Sequence, residues 1–259
     1  MQPLSMFLRV GNVNLEKVKA YHREHPGERR IFGTLIKEHA ARGEFTIPRA
    51  HILVFQEPDG WAWRINCTRL LGLDATDPDD LTTAEIEGRG QVAFLMDFLR
   101  KHVPGFENCV LIETGAQAGV RETRRIVGEY VLQVTDLAAE KPFPDTIALS
   151  SYPVDIHQVD GSFGGVTDEY RTANAYSIPY RSLVPLQVDG LLAAGRCLSA
   201  THEAAGAVRT MPAVCAMGHA AGVAAALAAR HRVPPRHIEV RELQAQLLDQ
   251  DAVLNIGTT

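Results

Sequence analysis

Several commitments are missing from this sequence of 259 residues. Cysteine is scarce, and Cys67, Cys109, Cys197 and Cys215 lie far apart, with no Cys-x-x-Cys pair or Cys/His quartet. That spacing argues against structural zinc and against an iron–sulfur cluster held by this chain, so no metal site is expected. Charge of one sign is lacking too. The formal net charge is −5, and the Lys and Arg residues are scattered rather than striped among aromatics, which argues against a nucleic-acid partner. No secretory signal opens the chain, so the expectation is a cytoplasmic protein with reduced thiols. No repeat or low-complexity tract occurs. Long apolar runs are absent but for Met211 to Ala229, nineteen residues with only His219 clearly polar. That run approaches the length of a bilayer span, but Ala and Gly contribute little transfer free energy. It reads as a buried helix and not a membrane span, with Gly218 and Gly222 forming a smooth face toward a sheet. The length allows one large domain or two small ones.

What is present reads in order as mixed structure. Leu15 to Glu24 and Glu28 to Ala41 predict two helices around His25-Pro26-Gly27, stopped at Gly43. His51–Gln56 and Trp61–Thr68 predict a hairpin across Glu57-Pro58-Asp59-Gly60, where Pro presets one dihedral and Gly accepts a positive one. Trp61 and Trp63 alternate onto one face, as core or pocket wall. Thr82 to Glu85 spells a capping box, predicting a helix to about His102. Inside it, Gly88 to Ala93 spells G-x-G-x-x-A, but a dinucleotide fingerprint needs a strand before it and a helix start at it. We reject it there, and the chain therefore lacks the loop that would hold a pyrophosphate. Cys109–Glu113, Val120–Leu132 and Asp145–Ser151 read as strands. In the second, Arg121, Thr123 and Arg125 fall on one face and Glu122 on the other. Those arginines suit a solvated edge, an ion pair with nearby Glu residues, or a grip on a substrate carboxylate. Ser162 to Asn174 reads as a loop beside or over a pocket. Ile178 is held extended by Pro179. Past Arg230-His231-Arg232 and Pro234-Pro235, Val240–Leu248 forms a last amphipathic helix.

The centre of the chain is Asp189 to Ala229. Leu191 to Ala194 reads as a buried strand ending at Gly195-Arg196; a polar loop follows, and a helix opens at Pro212. A strand, a Gly at the loop mouth and a Pro-initiated helix suit a nucleotide-type cofactor. The helix start offers unpaired N–H groups and partial positive charge, and Arg209 just before it adds a full charge. His202 lies in the loop, either as a proton donor or acceptor or as a histidine hydrogen-bonded in place. Glu203 reads as solvated or capping, and His219 as a packing histidine. A thiol alternative pairs Cys197 with His202, or Cys215 with His219 one helical turn on.

These residues carry a resemblance. GRCLSATH followed by VRTMPAVCAMGHAAGVAAAL, with GVRETRRIVGEYVL (Gly119 to Leu132) and IPYRSLVP (Ile178 to Pro185) upstream in the same order, resembles the FAD-dependent oxidoreductases related to fumarate reductase and succinate dehydrogenase flavoproteins. The opening MQPLSMFLRVGNVN is similar to the family's entry into its substrate domain. The resemblance covers the C-terminal part of the family and lacks its N-terminal G-x-G-x-x-G half. It implies an α/β plus α+β fold. A substrate (cap) domain over 1–177 would precede the C-terminal strand and helix of a Rossmann-like flavin-binding domain over 178–259. It implies FAD as cofactor, hydride exchange with a small-molecule substrate, and a second chain as the expected carrier of the missing unit. Gly195, Arg196, Arg209, Met211, Pro212, Ala213 and Val214 would face the flavin, with the N–H groups of Ala213 and Val214 toward the ring. His202, Arg121 and Arg125 would serve catalysis, and His157 resembles a position facing the substrate side. The alternative is a non-catalytic remnant or binding module that needs a partner chain. A lone sheet tail would also leave apolar surface exposed around Leu191–Ala194 and the Pro212 helix.

Overall fold

The structure, a computed structural model, describes residues 1–28, 30–49, 51–157 and 174–255. The reading of Ser162 to Asn174 as a loop therefore falls outside the described residues, except for Asn174 itself. The fold is mixed α/β with antiparallel sheets. It divides into two compact units, one built on Met1–Arg121 with His157, the other on Glu122–Ile156 with residues 174–255.

The first unit holds a four-stranded antiparallel sheet of order β2-β3-β1-β4, with β1 Leu8–Gly11, β2 Leu53–Gln56, β3 Trp63–Asn66 and β4 Val110–Thr114. The hairpin forms as its turn chemistry predicts: the Asp59 carboxylate accepts from the N–H groups of Trp61 and Ala62, and Gly60 takes φ +71°. Trp63 is core, but Trp61 is half exposed and lies over Gly11. Helix α1 (Leu15–Glu24) matches its predicted bounds, capped by Asn14, whose side chain accepts from the Lys17 N–H. Helix α2 (Gly33–Ala41) starts later than predicted, after Phe32 in a left-handed conformation. Helix α3 (Pro78–His102) starts earlier, because Asp77 accepts from the N–H groups of Asp79 and Asp80 and Pro78 sits in the first turn. Thr82, the predicted cap, instead lies inside the helix and donates to the Pro78 carbonyl. The G-x-G-x-x-A spelling is wholly helical. Gly88 is buried there, where a Cβ would approach the Met6 Cβ to 3.2 Å. Leu8, Val10, Trp63 and Ile65 from the sheet share one core with Val92, Leu95, Phe98 and Leu99 of α3. Each such side chain contributes roughly 2 kcal/mol of hydrophobic stabilisation.

The second unit pairs β5 (Thr146–Ser150) antiparallel with β6 (Tyr176–Pro179). Its helices are α4 (Val134–Ala138), α5 (His202–Val208), α6 (Met211–His231) and α7 (Val240–Asp249). Two strands expected here are absent as strands. Leu191–Ala194 forms no ladder and Leu191 is half exposed. Val120–Leu132 is extended but makes only scattered bonds, among them Ile126 N–H to the Cys197 carbonyl and Leu132 N–H to that of Ser199, with one parallel bridge between Leu132 and Ala200. The long apolar helix is buried on one face only. Ala213, Met217, Ala220, Ala224, Leu227 and Ala228 face the core, while Cys215, Gly218, Gly222, Ala225 and Ala229 are exposed. Gly218 and Gly222 approach no sheet: a Cβ at either would meet nothing within 4 Å. By length and composition alone α6 is long and apolar enough to cross a bilayer, with 33% of its most apolar window buried.

Candidate flavin-facing site

The predicted loop between Gly195 and Pro212 is partly helix. Thr201 caps α5 by accepting from the Ala204 N–H, so His202 opens that helix instead of lying in a loop. Ala204 through Val208 are buried, and Gly206 lets the turn pack on Asp155 and Ile156, where a Cβ would come 3.0 Å from Ile156. Arg209 ends α5. Its guanidinium donates from Nη2 to the Asp155 carbonyl and carboxylate, both at 2.9 Å, and its Nε is buried with no partner among the described residues. Asp155, and not an incoming ligand, is therefore the anion it meets.

Thr210 precedes α6 without a side-chain cap, and Pro at the second position costs no hydrogen bond. The Val214 N–H donates to the Thr210 carbonyl at 2.9 Å, so it is not available to a ring as expected. The N–H groups of Met211 and Ala213 have no acceptor inside the helix. Met211 is 81% exposed and Pro212 is exposed, so solvent reaches this end, while Ala213 is buried. Gly195 is left-handed at φ +89°, and a Cβ there would sit 3.5 Å from the Val214 side chain. The structure thus brings Gly195 against the first turn of α6. Arg196 is exposed beside it.

A second group forms around Glu122. His202 Nδ1 lies 2.8 Å from Glu122 Oε1, and Arg125 donates to the same oxygen. The Glu122 side chain is 6% exposed and the His202 ring 40%. Burial pushes the Glu122 carboxyl up, yet the hydrogen bonds from His202 and Arg125 outweigh it and hold the group below the usual carboxylate range. Glu122 is the residue that sequence reasoning missed. Strand alternation set it opposite the arginines, but this segment is no strand, and Arg125 turns back to it three residues on.

Other candidates are placed elsewhere. Arg121 belongs to the first unit, where Nη1 donates to the Pro3 carbonyl at 2.6 Å. His157, also in the first unit, meets the buried Arg69 at 2.9 Å. His219 meets Gln250 at 2.7 Å rather than Cys215, and the Cys197 thiol donates to the Ala194 carbonyl. Burial pushes the Cys67 thiol up to about 12, so it is inert near neutrality. No group of three or more His, Cys, Asp or Glu suited to a metal occurs among the described residues.

Beside this geometry stands a comparison with protein families: the profile of the family described as FAD dependent oxidoreductase matches residues 1–247. The chain belongs to the FAD-dependent oxidoreductase family. Curated proteins and solved structures gave no match.

An FAD-dependent oxidoreductase must hold an isoalloxazine ring and a pyrophosphate, and the residues present suit the two differently. A ring edge would meet an exposed helix start beside the left-handed Gly195. The pyrophosphate would find no counterpart among the described residues, since the one G-x-G-x-x-A spelling lies inside α3. Cavities among the described residues are lined by other groups. They include one of about 480 Å³ around Glu28, Arg30 and Lys37, and one of about 400 Å³ beside Asp145 and Arg181. The described residues thus fit one edge of the cofactor and not the whole dinucleotide.

Proposed function

We propose that this chain supplies the substrate-facing and ring-facing portions of a flavin oxidoreductase akin to the fumarate reductase and succinate dehydrogenase flavoproteins. Residues 1–177 act as the substrate or cap portion and 178–259 as the end of a Rossmann-like flavin domain. The pyrophosphate would be held by a strand–G-x-G-x-x-G–helix unit supplied from outside these 259 residues, such as one on a second chain. The protein works in the cytoplasm on a small organic substrate.

The observation that carries this reading is the start of α6: an uncapped, solvent-reached first turn, with Gly195 against it. A bound flavin would supply a hydride-accepting ring whose pyrimidine edge becomes negative on reduction. The Met211 N–H group and the helix dipole would stabilise negative charge placed there, without reorganising when it develops. His202 exchanges the accompanying proton. Arg125 acts through Glu122 and not on a carboxylate of the substrate.

The test is a titration with FAD, following flavin fluorescence and absorbance, for the chain alone and with added polypeptide bearing the strand–G-x-G-x-x-G–helix unit. Tight binding only with the added unit, weakened at least tenfold by Gly195→Val, is the expected result. A second reading, a binding module without redox chemistry, is favoured by the commitment of Arg209 to Asp155. It predicts no flavin binding under either condition, and that result would overturn the proposal.

A further inference from the structure

The contact between Glu122 and His202 joins residues eighty positions apart, and its geometry is not that of a simple ion pair. A carboxylate serving Arg125 alone would be met by both its oxygens in a fork. Here Arg125 and His202 both converge on Oε1, and Oε2 is buried with no partner among the described residues. Leaving a buried carboxylate oxygen bare is costly, so stabilising the fold does not by itself explain this arrangement. Holding the imidazole in one orientation explains it better.

We infer that Glu122 is the positioning residue of His202, fixing its neutral ring as the Nδ1–H tautomer and presenting Nε2 for proton exchange. The inference deepens the proposed function, resting on it for what Nε2 would serve. An ionised carboxylate can only accept, so the nitrogen facing it must carry a proton. With Nδ1–H spent on Glu122, the lone pair of the neutral ring lies on Nε2. When Nε2 takes a proton from a substrate O–H or N–H, the imidazolium formed is neutralised by the carboxylate beside it, and the carboxylate itself stays ionised. The hydrogen bond from His202, with a smaller contribution from Arg125, keeps Glu122 charged despite its burial. His202 opens α5 with its ring 40% exposed, so Nε2 can meet a small molecule.

The experiment is long-range proton–nitrogen NMR of the full-length chain labelled at histidine, with the His202 signals assigned by their loss in His202→Gln. In the wild type the neutral His202 ring is expected as Nδ1–H, with the Nε2 shift of an unprotonated nitrogen. In Glu122→Leu the preference is lost and the Nε2–H form gains, while Arg125→Leu, which spares the contact, keeps the wild-type pattern. A purely structural Glu122 would alter stability and leave the tautomer alone. A wild-type ring in the Nε2–H form overturns the inference, even if Glu122→Leu fails to fold. An unchanged tautomer in a folded Glu122→Leu overturns it equally. Flavin titration on the same samples separates the two claims: correct tautomers without flavin binding refute the proposed function, and flavin binding with the wrong tautomer refutes the positioning role.

Discussion

Arg181 and Asp145 show how single residues hold the second unit together. The guanidinium donates to both carboxylate oxygens at 2.9 and 3.1 Å, and the Arg181 N–H donates to Oδ2 at 3.1 Å. The Asp145 side chain is buried while Arg181 keeps one side in solvent, so the pair is worth less than a fully buried one. Asp145→Ala leaves a backbone donor and a guanidinium poorly met, and is expected to cost about 2 kcal/mol in urea unfolding. Glu122 makes a different prediction, through pH. Its carboxyl is held below the usual range in the folded protein, so its stabilisation is fully present above an ordinary carboxylate value of about 4. That stabilisation fades as pH falls through the lowered folded value. Urea midpoints measured from about pH 6 to 3 should therefore fall less steeply for Glu122→Gln than for the wild type. The turn at Gly195 was legible in the sequence because place in the chain defines it, whereas His202, read as a loop residue, opens α5. Glu122 was not legible, because its partner His202 is distant and because alternation along a strand fails where no ladder fixes the backbone.

Elements that depend on local chemistry were read well from the sequence, and those that need neighbours were not. The bounds of α1 follow from Asn14 and the following apolar spacing, and the β2–β3 hairpin from its Pro-Asp-Gly turn. The Leu191–Ala194 strand failed because an apolar run becomes a strand only beside another strand, and none of the described residues supplies one. Helix α3 lets two glycines be compared. Gly90 lies in its exposed middle, where a Cβ would meet nothing within 4 Å. Gly90→Ala should raise stability by about 0.5–1 kcal/mol, as helix propensity alone dictates. A dinucleotide-binding glycine would not behave so, which makes this also a check on rejecting the fingerprint. Gly105, just past the helix, sits at φ +90°, and a Cβ there would lie 2.7 Å from both the Asn14 carbonyl and the Val18 side chain. Its own carbonyl accepts from the Asn14 N–H at 2.8 Å, tying the end of α3 to the start of α1. Gly105→Ala combines backbone strain with a clash against main chain, and a loss of about 2 kcal/mol or more is expected in thermal or urea unfolding.

For the molecule as a whole, the distribution of apolar surface is the informative quantity. Val127, Leu186, Val188 and Leu191 are each half exposed or more, all in the unit that carries α6, and Leu186 is tied to Val127 by a backbone bond. The exposed face of α6 adds Cys215, Gly218, Gly222, Ala225 and Ala229, none of them charged. A soluble monomer rarely leaves so many apolar groups in water, because each square ångström of such surface covered gains about 25 cal/mol. The net charge of −5 is too small to hold copies apart once these faces meet. The isolated chain is therefore expected to self-associate as its concentration rises, with light scattering showing a mass above that of one chain. Because apolar burial drives the process, sulfate should strengthen it more than an equal ionic strength of sodium chloride. Ala225→Glu together with Leu191→Lys places charge on both surfaces without touching the core, and should return the chain to a monomer with unchanged helix content. A wild type that stays monodisperse and monomeric at high concentration in sulfate would show that these faces need no cover, and the case for a missing partner would lose its physical ground.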